Sequence, residues 1–210
     1  REFTEFGSGF KIAMRDLELR GAGNILGPEQ HGHLAAVGYD MYCKLIEETL
    51  AEVGQGAVRR ELETRVNLRV DAYLPSEYVA DEKQRMEMYK RIASVASDED
   101  RTGVVEELID RYGDPPKVVQ TLLDVSQLRA LCNRMGISHV SRGKDGAMMR
   151  LDERYLPDPE ALVQAMSKAD RRLTLKGGAT PVMNLKSPAK TDRELLTDLL
   201  KGIRKLDDEL

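Results

Sequence analysis

Arg15, Asp16, Glu18 and Arg20 crowd the end of an apolar-faced segment that runs directly into Gly21, Gly23 and Gly27, with Gln30 and Gly32 beyond. Guanidinium and carboxylate groups beside a glycine hinge can exchange partners between two backbone states. The same residues also fit a capped helix with surface ion pairs, each worth at most about 1 kcal/mol, and the residues alone favour neither reading. Gly21-x-Gly23-x-x-x-Gly27 is spaced roughly like a phosphate-cradling loop. Yet position 26 is Leu, no clear strand precedes it and no Lys-Ser/Thr follows, so a nucleotide site is not expected there. His31 and His33 make a bare HxH without a third ligand, which reads as loop histidines rather than a metal centre. Cys43 and Cys132 lie far apart with no CxxC or Cys/His spacing, so zinc and a disulfide framework are both unsupported and buried small apolar side chains are expected. No Ser/His/Asp or Cys/His set has supporting context, and no Walker A sequence occurs. Further along, Glu107, Asp110 and Arg111 stand at i, i+3 and i+4, on one side of a helix, and form a polar patch suited to docking.

The elements that must position these residues follow from periodicity. Arg1 to Phe6 begins in mid-pattern, which suggests a chain cut from a longer protein. After Gly7-Ser8-Gly9, the residues Phe10, Ala13, Met14 and Leu17 mark one helical face, and a strand through Phe10, Ile12 and Met14 is the weaker option. The two pieces read as a helical hairpin, followed by the glycine loop and a helix over 39–53. The charged segment after Gly54 is the best linker candidate, which divides the chain into 1–54, a linker at 55–63, and 64–210. Val66, Leu68, Val70 and Ala72 alternate with polar residues as a half-buried strand does, and Pro75 stops it. A long helix is expected from Ser76 to Ala96. A second, capped by Ser97 or Asp98, carries Val104, Val105, Leu108, Ile109 and Tyr112 and ends at Gly113. A third starts at Asp114-Pro115, turns Val118, Leu122, Val125, Leu128 and Cys132 inward, and ends before Gly136.

Beyond Gly136 the pattern changes. Strands are expected over 138–142 and 147–151 around Lys144-Asp145-Gly146, and over 171–176 and 182–185. A short helix starts at Asp158-Pro159, and a final helix is opened by the Thr191/Glu194 capping box. The fold class is therefore α+β, helix-rich, with a small sheet. At roughly 150 residues the second region can bury about 70% of its unfolded surface, enough to fold alone.

The whole chain has 210 residues, 41% hydrophobic and 32% charged, which places it among globular rather than disordered proteins. It has no apolar run approaching 18 residues and no secretory leader at Arg1, so the expected location is the cytoplasm, with no membrane partner. The net charge of −4 argues against a general nucleic-acid coat. Its distribution is uneven: residues 168–205 hold ten basic side chains against four acidic, whereas 35–167 hold 18 against 24. A basic docking face and ordinary solvated surface both fit that asymmetry.

The stretch Gly9 to Gly32 resembles, nearly residue for residue, the translocation motif that follows the second helicase domain in bacterial transcription-repair coupling factors and in the related branch-migrating helicase of fork rescue. Three later signatures are similar to the C-terminal domain of the coupling factors. They are Arg65-Val66-Asn67-Leu68-Arg69-Val70-Asp71-Ala72-Tyr73-Leu74-Pro75, Gln84-Arg85 with Tyr89-Lys90-Arg91, and Glu107-Leu108-Ile109-Asp110-Arg111-Tyr112-Gly113. His31 stands where that family's pattern usually has Ser, and Pro28 is also unusual. The resemblance implies an ATP-driven double-stranded-DNA translocase that pushes stalled RNA polymerase off a lesion and recruits excision repair. It further implies that 1–54 sits at the end of a helicase lobe, with Arg20 and Gln30 carrying the coupling and Gly21, Gly23 and Gly27 permitting the backbone swing. ATP and magnesium would belong to lobes upstream, with no cofactor in this stretch and no expected activity by itself. The C-terminal domain would act as an autoinhibitory clamp on the parent's own N-terminal repair-mimicking module, through Glu107, Asp110 and Arg111, and so regulate an excision-repair damage sensor indirectly. A self-contained protein-interaction module, or the equivalent part of the fork-rescue helicase, is the alternative.

Overall fold

The computed structural model describes residues 64–155, 158–178 and 180–210. The expected hairpin, glycine loop, 39–53 helix and linker lie outside the described residues, and with them Arg15, Asp16, Glu18, Arg20, Gly21, Gly23, Gly27, Gln30 and Gly32.

The alternation read between Val66 and Ala72 is present in burial. Val66, Leu68, Val70, Ala72 and Leu74 all point inward, and the residues between them face outward. Only Arg65–Asn67 forms a strand, β1. Beyond it the Arg69 N–H donates to the Asp192 carboxylate at 2.6 Å and the Val70 N–H turns back to the Leu68 carbonyl at 3.0 Å, so the backbone is satisfied away from the ladder. The expected long helix starts later than Ser76, at Glu82. Tyr78 and Val79 donate to the Pro75 carbonyl in a separate turn, and Asp81 then caps α1 (Glu82–Ala93) by accepting from the Gln84 N–H at 2.9 Å. Ser97 and Asp100 make a capping box for α2 (Asp98–Tyr112), which ends at Gly113 with φ +80°. The next helix, α3 (Lys117–Arg134), begins past Asp114 and Pro115, with Pro116 at its cap.

A hairpin follows, β2 (Ile137–Gly143) and β3 (Gly146–Leu151), and then α4 (Pro159–Ala169), which Asp158 caps. The strands β4 (Leu173–Lys176) and β5 (Val182–Lys186) precede α5 (Asp192–Asp207), opened by the expected Thr191/Glu194 box. The sheet runs β1-β2-β3-β5-β4, with β1 parallel to β2 and every other pair antiparallel. One continuous core joins helices and sheet, with Leu122, Leu128, Val140, Met149, Met183, Leu199 and Ile203 fully buried within it. The result is the α+β class expected, five α-helices and five strands among the described residues.

Gly146 sets the register where β3 meets both neighbours. Its φ is +143°, and a Cβ there would sit 2.1 Å from the Leu185 carbonyl oxygen and 2.7 Å from the Ser187 nitrogen, backbone atoms that cannot step aside. Gly146→Ala is expected to lower unfolding stability in urea by at least about 3 kcal/mol, in the upper range for one substitution. Gly177→Ala, whose Cβ would meet nothing within 4 Å, should stay within about 0.5 kcal/mol of the parent chain. Equal midpoints for the two variants would contradict this reading of the sheet.

Candidate functional site

On α2 the helical period buries Val104 and Leu108 and leaves Glu107 half-buried at the seam with α1. The Glu107 carboxylate accepts from Arg111 Nη1 at 2.8 Å and from Arg91 Nε, across on α1, at 3.3 Å. The Arg111 hydrogen bond, seconded by the one from Arg91, holds the Glu107 carboxyl below the usual glutamate range. Arg111 in turn lies 5.0 Å over the Tyr112 ring, and its Nη1 is 3.8 Å from the Met88 sulfur. Tyr112 donates to Gln84 Oε1 at 3.0 Å and meets Tyr78 edge to face at 5.8 Å, while Tyr78 donates to the Gly113 carbonyl at 2.8 Å. The seam thus holds Glu107 and Arg111 in fixed orientations.

Asp110, the third residue of the expected patch, is exposed and has no ion pair among the described residues. Beside it Ile109 is 45% exposed, although the sequence pattern placed it with the apolar residues. The correction is geometric. Ile109 lies one position past Leu108 and five past Val104, which turns it well off their shared side of a helix with 3.6 residues per turn. The structure therefore presents an unpaired carboxylate and an exposed aliphatic side chain next to a partnered Glu107/Arg111 pair. Charged groups already held in place lose little freedom on docking, which suits this seam to contact with another protein surface. Arg91, Gln84 and Ile109 were not singled out as site residues. All three stand in the quoted signatures, Gln84 and Arg91 in Gln84-Arg85 with Tyr89-Lys90-Arg91 and Ile109 in the run from Glu107 to Gly113, which is the signal the sequence offers for them.

The rest of that signature does structural work. Arg85 is 4% exposed, and its Nη1 donates to the Val79 carbonyl at 2.9 Å. The Tyr89 hydroxyl accepts the Leu74 N–H at 2.9 Å, so the two side chains fasten the 68–79 segment to α1. In the basic 168–205 region, Arg172 pairs with Asp170 at 2.8 Å, Arg193 with Asp124 at 3.3 Å and Arg204 with Asp98 at 3.0 Å. The last two join α5 to α3 and α2. Cys132 is fully buried and burial pushes its thiol pKa up, which removes it as a nucleophile. No group of three or more His, Cys, Asp or Glu able to hold a metal occurs among the described residues, and no helix among them is long and apolar enough to cross a membrane.

A mixed five-stranded sheet and five α-helices packed around one core, with a polar seam between α1 and α2, define an α+β domain. Residues 68–162 match the TRCF domain family, and that stretch of the chain belongs to it. More particularly, it is similar to the transcription-repair-coupling factors. It is 42% identical over 154 residues to that of Bacillus subtilis strain 168, 42% over 166 residues to that of Mycobacterium bovis and 43% over 148 residues to that of Staphylococcus aureus strain USA300. These matches cover 73%, 74% and 69% of this chain and 13% of each relative. The chain thus corresponds to a small part of those proteins. A solved C-terminal domain of a transcription-repair coupling factor matches with a TM-score of 0.61 and 24% identity over 73% of this chain and 97% of that one, a likeness of fold.

Proposed function

We propose that this chain is the transmission element and C-terminal regulatory domain of a double-stranded-DNA translocase that displaces RNA polymerase stalled at DNA damage and brings excision repair to the site. The observation that supports it most is the 42% identity to transcription-repair-coupling factors over nearly three quarters of the chain. In this reading ATP and magnesium act in lobes of the longer parent protein. Residues 1–54 pass the nucleotide state of those lobes to the DNA, and 64–210 restrain the parent by holding its N-terminal repair-mimicking module away from the damage sensor.

The seam on α1 and α2 is the proposed clamp surface. Asp110 offers a free carboxylate and Ile109 a small apolar anchor, while Glu107, fixed by two guanidiniums, offers an oriented one. A charged group desolvated in such an interface costs about 2–5 kcal/mol when truncated, against at most about 1 kcal/mol when exposed. Moving a clamp from 99:1 closed to 1:99 takes about 5.5 kcal/mol, so two or three lost contacts suffice.

Glu107→Ala with Asp110→Ala in the parent protein should therefore raise both basal ATPase and affinity for the damage sensor. Asp110→Ala alone should move both in the same direction without disturbing the fold, since no ion pair within the described residues depends on it. Unchanged ATPase and sensor affinity in the double variant would refute the clamp surface.

A further inference from the structure

The strand registers align one row of residues across all five strands: Arg65, His139, Arg150, Val182 and Lys176. These alternate with the buried residues Val66, Val140, Met149, Met183 and Leu185, so the row belongs to the face opposite the core. A second row on the same face runs Asn67, Ser141, Met148, Asn184 and Thr174, and Lys186 lies beyond it, opposite Gly146. Arg65, Arg150, Lys176 and Lys186 are exposed, and none has an ion pair among the described residues. Residues 64–210 contain 25 Lys and Arg against 25 Asp and Glu, yet none of the five strands contains an acidic residue. The imbalance is thus local to the sheet. His139 records it: partial burial lowers its pKa first, and the flanking Arg150 and Arg65 lower it further.

We propose that this open sheet face is a second binding surface, one that takes the phosphate backbone of duplex DNA without reading sequence. Charge complementarity selects the occupant, because five strands that carry no carboxylate and four cations without an ion pair among the described residues attract a polyanion. Spacing fits it too. Arg65, Arg150 and Lys176 stand two strands apart in turn, about 10 Å between neighbours, comparable with the roughly 12 Å width of a major groove. No Phe, Tyr or Trp occurs in any of the five strands, so the face lacks the large rings on which unpaired bases stack, which points to duplex over single strand. This surface lies apart from the Glu107 seam and stands or falls independently of the clamp.

The test is fluorescence anisotropy of the 210-residue chain with a labelled duplex of arbitrary sequence, titrated from 50 to 200 mM salt. Four phosphate contacts predict a log–log slope of about −3.6 and a weakening of about 150-fold over that range. Arg65→Ala with Arg150→Ala should reduce the slope to about −1.8 and the weakening to about 12-fold. Arg65→Lys with Arg150→Lys should restore the slope, because a point charge suffices for a phosphate. Lys117→Ala, on α3, should leave it unchanged. An unaltered slope in the double alanine variant, no duplex binding at 50 mM salt, or capture of an acidic peptide in preference to duplex would each overturn the proposal.

Discussion

Arg20→Ala in the full-length parent is expected to leave ATP hydrolysis largely intact while abolishing displacement of a third strand from duplex DNA. The reasoning begins with side-chain chemistry. A guanidinium grips a carboxylate or a phosphate through two parallel hydrogen bonds, and Gln30 can donate and accept at once, so both can change partners without leaving a buried charge unpaired. Arg20 immediately precedes Gly21-Ala22-Gly23, whose glycines lower the cost of a backbone swing. In the proposed translocase, hydrolysis would depend on phosphate-binding residues in the parent's lobes and displacement on coupling their closure to DNA, so the two activities would separate. Phosphate release and triplex displacement measured on one preparation check this. A variant that displaces the third strand at the parental rate would remove Arg20 from the coupling role.

Much of the domain's architecture was readable from local signals, because the strongest of them are self-contained. The Ser97, Asp158 and Thr191 caps each satisfy orphan N–H groups within a few residues, and all three mark helix starts in the structure. Errors arose where a distant residue decides the outcome. Strand β1 ends at Asn67 partly because Asp192, more than a hundred residues away, takes the Arg69 N–H. The α1 start moved to Glu82 because Pro75 organises its own turn before Asp81 caps the helix. Neither competitor leaves a trace in the hydrophobic pattern.

The same division holds for the surface. The i, i+3, i+4 spacing of Glu107, Asp110 and Arg111 gave a shared side of one helix, but not the arginine from α1 that completes the cluster. Ile109 is apolar yet exposed because its angle around the helix, not its character, decides which side it takes. The cations of the open sheet face are not legible as a group in the sequence because they come from four strands, and only register brings them together. Part of the basic excess at 168–205 turned out to bind the domain's own acidic residues, which composition alone does not distinguish from a docking face.

Deleting residues 64–210 from the parent protein tests most directly whether this domain restrains it. If the closed form holds about 99 molecules in 100, removing the restraint should tighten apparent sensor binding by up to about 100-fold, since affinity scales with the competent fraction. Basal ATPase should rise with it. Sensor affinity and ATPase that match the intact parent would contradict a restraining role.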